Sequence, residues 1–249
     1  MLQGRSIVVT GAARGLGREI ALAIGEAGGR VIVADVDEAG GNDTVTLLNT
    51  AGHDGRFYLL DLSDPVSIEQ CANQIGQQET AIHGLVNNGA IATGIGGKRF
   101  DEIEIDTWDR VMSVNVRGQW LMIRNLAPVL EQSPDARIVN VASDTALWGA
   151  PNLLSYVASK GAIISMTRSL ARELGDRSIG VSAVAPGILT TESTEYVPEE
   201  RHQHYEAHRA VQGPQAPEDI TGTIVFLLTR EALALTGQTL PTNRGFVYT

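Results

Sequence analysis

The chain has 249 residues, 43% of them hydrophobic, enough to bury one large core of the kind an α/β domain of this length forms. Its 19 Lys and Arg against 29 Asp and Glu give a net charge of -10 with no basic cluster, which argues against nucleic acid or an anionic membrane as the main partner. Cys71 is the only cysteine, so no intrachain disulfide can form, and its neighbours in sequence suggest neither a metal site nor a nucleophile.

Strand-like apolar runs alternate with helical patterns. In chain order the runs are SIVVT (6–10), VIVAD (31–35), FYLLDL (57–62), GLVNN (84–88), RIVNVAS (137–143) and GVSAVAP (180–186). They are too uniformly apolar to leave one face in water, which predicts a parallel sheet covered on both faces: a Rossmann-type doubly wound α/β fold in a single domain spanning 1–249. GQTLPT (237–242) suits an edge strand, where Pro241 costs no ladder bond. LLSYVASKGAIISMTRSLARELG (153–175) predicts one long helix with Gly175 as its cap. The N-terminal residues hold no long apolar core before a cleavage site, and no segment approaches the length of a membrane span, so a cytoplasmic location is expected.

The first stretch carrying chemistry is TGAARGLGREI (10–20), between the first strand and a helix starting near Gly15. Gly11, Gly15 and Gly17 let the backbone turn tightly and approach a pyrophosphate, to which the helix N-terminus offers unpaired N–H groups. The spacing is G-x-x-x-G-x-G rather than G-x-G-x-x-G, and an ordinary tight turn would use the same residues. Asp35 ends the second strand, where an acidic residue receives the adenosine ribose hydroxyls and repels a 2′-phosphate. NAD is therefore expected over NADP, although Arg14 in the loop could meet a phosphate.

Farther along, Tyr156 and Lys160 lie four apart on a helix and so project from one face. The ammonium would favour the phenolate and make the tyrosine a usable acid or base; the plainer alternative is a surface pair. Ser143 ends the fifth strand, at the carboxyl edge where open α/β sheets bind ligands.

With these motifs in this order (TGAARGLG, Asp35, DL at 61–62, LVNN at 85–88, Asn115 in SVNVRG, Ser143, YVASK, and PGILTT at 186–191) the chain resembles the short-chain dehydrogenase/reductase family over essentially its whole length. The resemblance implies that Tyr156 is the catalytic acid/base, that Ser143 holds the substrate oxygen, and that Lys160 lowers the tyrosine pKa and binds the nicotinamide ribose. Asn115 would help hold a water that links the lysine to solvent, whether or not it also satisfies helix backbone groups. It further implies a cofactor site made by Gly11, Arg14, Gly15, Leu16, Gly17 and Asp35, with Asp61 and Leu62 flanking the adenine. Asn87 would support the ribose side, and Pro186, Gly187, Ile188 and Thr190 would border the nicotinamide beside Tyr156 and Lys160.

The implied activity is NAD-dependent hydride transfer between a secondary alcohol and its ketone or aldehyde. A 3-oxoacyl carrier-protein reductase and a non-catalytic NAD-binding regulator are the alternatives. Dimers or tetramers, packed through the helices at 106–130 and 153–174, are expected from the same resemblance.

Three departures from the family pattern stand out: NNGA (87–90) for Asn-Asn-Ala-Gly, TNRG (242–245) for Val-Asp-Gly-Gly, and a glycine-bearing stretch at 94–97 suited to a mobile loop. The pocket would be built from DTALWGAPN and a substrate lid about 190–214. Trp148, Leu153, Ile95 and Tyr196 suggest a cyclic, aromatic or otherwise apolar substrate, unless Trp148 packs under the lid. His202, His204 and His208 invite a metal reading, and His204 and His208 would share a helical face, but no carboxylate or fourth ligand is clearly placed with them and no metal is expected.

Overall fold

The structure, a computed structural model, describes residues 1–249 apart from the side chain of Ser193. Seven parallel strands form one sheet in the order β3-β2-β1-β4-β5-β6-β7. They are β1 (Ser6–Thr10), β2 (Arg30–Asp35), β3 (Gly55–Leu59), β4 (Gly84–Asn87), β5 (Arg137–Val141), β6 (Gly180–Pro186) and β7 (Thr239–Thr242). The helices between them are α1 (Gly15–Glu26), α2 (Glu38–Thr50), α3 (Pro65–Gln78), α4 (Ile105–Met112), α5 (Gln119–Leu130), α6 (Thr145–Trp148), α7 (Leu154–Glu173), α8 (Glu199–His208) and α9 (Glu218–Leu227).

The period of two along each strand divides the core between the two faces. Ile7 and Val9 pack with Ile20 and Ile24 of α1 and Ile220 and Ile224 of α9. Val8, between them, points the other way into Ile68 and Ile75 of α3 and Met122 and Leu126 of α5. Local chemistry starts the helices: the Asp37 carboxylate accepts from the Gly40 amide at 3.0 Å to cap α2, and Asp64 accepts from Val66 at 2.9 Å, ahead of Pro65, to cap α3.

Several boundaries differ from the sequence expectation. β3 starts at Gly55, paired with Val31, and ends at Leu59. An Asx turn, in which Asp61 Oδ1 accepts from the Ser63 amide at 2.8 Å, frees Asp61 and Leu62 to face the sheet's carboxyl edge. β5 stops at Val141, so Ser143 stands in the loop beyond it. The helix expected at 106–130 is interrupted by a π-helical turn at Ser113–Gly118 that carries Asn115. Gly175 is not a left-handed cap: it opens a 3-10 turn, and Ser178 takes the positive φ of 60°. β7 is an edge strand, with Pro241 opposite Ala185.

The order reverses between β1 and β4, and there the chains leaving the sheet's carboxyl edge diverge and open a crevice.

Candidate active site

A cleft of about 650 Å³ runs along this edge from the N-terminus of α1 to the start of α7. Its first end exists because glycines permit two close approaches. Gly11, at φ +66°, has the Cα of Gly89 only 2.5 Å from where a Cβ would stand, and a Cβ on Gly17 would meet the Gly11 carbonyl oxygen at 1.9 Å. β1 therefore turns straight into α1, which has no side-chain cap and no acidic residue in its first turn. Gly15, Leu16 and Gly17 line the cleft with the unpaired amides of a helix N-terminus, an arrangement suited to a pyrophosphate.

At the end of β2, Asp35 Oδ2 accepts from the Ala13 amide at 2.9 Å and Oδ1 from the Asp37 amide at 3.0 Å. Both carboxylate oxygens are fixed yet keep lone pairs for a diol. Arg14, Asp61 and Leu62 line the same end, so the residues present fit a dinucleotide.

At the other end Ser143, Tyr156 and Lys160 converge with Pro186, Gly187 and Ile188. The Ser143 hydroxyl bonds the Tyr156 phenol and accepts from Thr145 Oγ1 at 2.9 Å. Lys160 is buried, and its Nζ donates to the Val141 carbonyl at 2.7 Å. Burial lowers the lysine pKa to about 8. The tyrosine departs from expectation: its pKa is not lowered but raised to about 12, because burial, helped by the nearby Asp144 charge, outweighs the Ser143 hydrogen bond. By itself the protein presents a phenol at neutral pH.

Four residues expected in the site lie outside the cleft wall. Asn87 is wholly buried, with its Nδ2 on Asn140 Oδ1 at 3.0 Å; the period of two turns it inward and leaves the next residue, Asn88, on the wall. Thr190 is exposed, its amide tied to the Gln215 carbonyl at 2.8 Å, while Leu189 and Thr191 on either side line the cleft. Asn115 brackets the backbone of Ile91, accepting from its amide at 2.7 Å and donating to its carbonyl at 3.1 Å, and reaches Ser159 Oγ at 3.2 Å. It thus joins the loop after β4 to α7.

The fourth, Trp148, packs against α8 and the C-terminal segment: its ring meets Phe246 and Tyr205 edge-on, and Nε1 donates to the Tyr205 hydroxyl at 3.0 Å. Of the other apolar candidates, Leu153 lines the cleft, Ile95 is buried off it and Tyr196 is exposed to solvent.

Sequence reading missed Tyr205 and Arg201, both on α8 and both on the cleft wall; the signal for Tyr205 was a lone aromatic in the polar run EERHQHYEAH. Gly89, the displaced glycine of NNGA, sits where a Cβ would stand 2.7 Å from Leu62 Cδ1 and 3.2 Å from the Gly11 amide. His204 and His208 share a helical face with ring centroids 4.3 Å apart. Among the described residues no cluster of three or more His, Cys, Asp or Glu is placed to hold a metal, and no helix is long and apolar enough to cross a membrane.

A family model described as enoyl-(acyl carrier protein) reductase matches residues 11–247. The 3-oxoacyl-(acyl-carrier-protein) reductase of Thermotoga maritima is 31% identical over 246 residues, 99% of either chain, and that of Vibrio cholerae is 30% identical over 244 residues, 98% of either. A crystal structure assigned as an NAD(P)-dependent gluconate 5-dehydrogenase from Beutenbergia cavernae, with NADP bound at low occupancy, is similar with a TM-score of 0.92 and 31% identity, covering 98% of this chain and 97% of that one. Another, assigned as a gluconate dehydrogenase from Agrobacterium tumefaciens, has a TM-score of 0.94 and 27% identity, covering 100% and 98%.

Proposed function

The chain belongs to the short-chain dehydrogenase/reductase family of nicotinamide-dependent oxidoreductases, and on that premise we propose that it moves a hydride between a secondary alcohol, or the matching carbonyl compound, and NAD. The observation that carries this reading is one continuous cleft with Asp35 at one end and Ser143, Tyr156 and Lys160 together at the other. Residues 1–249 then make one dehydrogenase domain, with 190–214 as the substrate lid.

The bound nicotinamide supplies the hydride acceptor in oxidation and the donor in reduction. Tyr156 gives its phenolic proton to the carbonyl oxygen in reduction and receives the hydroxyl proton in oxidation. Burial keeps the unliganded tyrosine protonated at neutral pH, the form that gives the proton in reduction. Lys160, held on the Val141 carbonyl, keeps a positive charge behind the phenol and offers its ammonium to a ribose hydroxyl. Ser143 hydrogen-bonds the same substrate oxygen and orients it. Asn115 fixes the π-turn against Ile91 and, through Ser159, keeps α7 in register with the loop after β4.

Asp35 supports NAD, since a 2′-phosphate would meet its carboxylate. Reduction of a 3-oxoacyl thioester is the second reading, favoured by the names of the curated relatives. The gluconate assignments of the structural neighbours favour a polar hydroxy-acid substrate over the aromatic one expected from Trp148, which lies off the cleft.

The test is NAD(P)H formation across polyols, sugar acids and aromatic and alicyclic secondary alcohols. NAD and NADP are run side by side, and reduction of a 3-oxoacyl thioester by NADH and NADPH is run in parallel. Tyrosine-dependent oxidation with NAD supports the first reading; turnover confined to the thioester with NADPH replaces it with the second.

A further inference from the structure

One buried acid exchanges no proton and meets no substrate in these steps. Asp144 follows Ser143 directly and is wholly buried. Its Oδ1 accepts from the Tyr205 hydroxyl at 2.8 Å, its Oδ2 accepts from Asn243 Nδ2 at 3.2 Å, and its amide donates to the Pro186 carbonyl at 2.9 Å. A carboxylate is costly to bury unless its oxygens are bonded, and here the donors come from α8 and from the last residues of the chain.

Tyr205 is the only buried residue of α8. Its ring stacks on Phe246 with centroids 4.1 Å apart, and its hydroxyl both donates to Asp144 and accepts from Trp148 Nε1. The other ties of α8 to the body include the Arg201 guanidinium on the Pro151 carbonyl at 3.0 Å, His204 edge-on to Phe246 with centroids 5.7 Å apart and, just past the helix, the Arg209 guanidinium on the Ile188 carbonyl at 2.6 Å. Tyr205 is thus the buried anchor of α8, and the residue it bonds adjoins Ser143.

We propose that Asp144 and Tyr205 form a latch that fixes α8 over the substrate end of the cleft, making Asp144 a positioning residue for substrate binding. The inference rests on the reading that this end receives the substrate. With the latch made, the cleft walls at Tyr205 and Arg201 have one position; with it broken, α8 samples several and the substrate pays to select one. The adenosine end, built by Asp35 and the α1 turn, does not depend on it. Asn243 gives the altered C-terminal tetrad a role: the amide stands at 243 and the acid at 144. Exchanging the two, as Asp144→Asn/Asn243→Asp, preserves the bonds of the latch. The amide introduced at 144 still accepts from Tyr205 while donating to the carboxylate introduced at 243, whose other oxygen still serves the Gly245 and Phe246 amides. Only the long bond from Asn243 Nδ2 to the Val247 carbonyl, 3.4 Å, is given up. Asp144→Asn alone sets one NH₂ against another, or against a hydroxyl that has lost its acceptor.

The experiment compares wild type, Tyr205→Phe, Asp144→Asn and the double variant Asp144→Asn/Asn243→Asp by hydrogen exchange of residues 199–208 without cofactor and by steady-state kinetics with the best alcohol of the panel. Tyr205→Phe, which keeps the ring packing, should speed exchange across α8 about tenfold and raise KM for the alcohol about tenfold, the equivalent of one buried hydrogen bond. Exchange in β5 and α7, kcat and NADH affinity should stay as they are. Asp144→Asn should act alike on exchange and KM, and the double variant should return both readouts toward wild type; kcat is compared only for Tyr205→Phe, because the Asp144 charge also bears on Tyr156.

Unchanged exchange in α8 on Tyr205→Phe overturns the latch, and so does faster exchange with an unchanged KM or a double variant no better than the single. If wild type turns over no alcohol, the proposed reaction fails while the exchange data still decide the latch. If Asp144→Asn does not fold, Tyr205→Phe decides it.

Discussion

Lys160 Nζ stands 5.6 Å from the centroid of the Tyr156 ring, yet its short hydrogen bond, 2.7 Å, goes to the carbonyl of Val141. The lysine is fixed by the sheet rather than by the phenol, so it can hold charge near the tyrosine and leave the phenolic oxygen free for the proton transfer proposed for it. Removing that oxygen is the first test. Tyr156→Phe should lower turnover by about 10²- to 10⁴-fold, the usual worth of a positioned acid or base, and leave NADH binding by fluorescence titration unchanged.

Asp35→Ala removes the acceptor of the Ala13 and Asp37 amides together with the proposed ribose contact. Losing a charged hydrogen-bond partner costs about 1.5–3 kcal/mol, so KM for NAD should rise roughly ten- to a hundredfold while NADP is affected less. An unchanged ratio of kcat/KM for the two cofactors would contradict the assignment.

Gly17→Ala would force a methyl to within 1.9 Å of the Gly11 carbonyl oxygen, a backbone atom that cannot turn aside. Overpacking of this kind costs about 1–3 kcal/mol, to be read as a lower urea midpoint, and weaker NADH binding should accompany it because the α1 N-terminus shifts.

Burial raises the Asp144 pKa from 3.8 to about 6. Between those values the native state binds more protons than the unfolded chain, so this group's contribution to stability is full below about pH 4 and is lost as pH rises through 6. The loss is about 3 kcal/mol, an order-of-magnitude figure from a shift of roughly two units. In thermal melts from pH 4 to 7 the double variant Asp144→Asn/Asn243→Asp should move this slope with the acid, and Asp144→Asn should flatten it.

The outward face of α5 leaves Trp120 43% exposed with the Arg124 guanidinium 5.7 Å from its ring, and Leu154 at the start of α7 is 44% exposed. We expect this face to be covered by a second copy. Sedimentation should give a multiple of the 26.5 kDa chain mass, and a monomer would remove the expectation.

The strands of the central sheet could be read from the sequence because they are buried on both faces, and continuous apolar runs such as SIVVT leave no other reading. The turn at Gly11–Gly17 and the acid at Asp35 were equally legible, since each serves a local need: a close backbone approach, or a charge at a strand's end. Tyr156 and Lys160 were legible because helical periodicity alone places them on one face.

What depended on distant partners was not legible. Asn87 and Asn88 look alike in the sequence, and only the register of β4 against β5 turns the first toward Asn140 and leaves the second for the cleft. Trp148 read equally as pocket lining or as packing because the two have the same composition; it is the arrival of Tyr205, 57 residues along, and of Phe246 beyond it that covers the ring. The direction of the Tyr156 pKa shift likewise followed from burial rather than from its lysine neighbour. By itself the sequence determined the fold, the glycine turn between β1 and α1 and the placing of Tyr156 and Lys160 on one helical face, all set by spacing within one element or across one turn. Only the tertiary structure decided which side chains face the cleft and which buried acid meets Tyr205, because burial and hydrogen-bond pairing between remote segments exist only once the chain has folded.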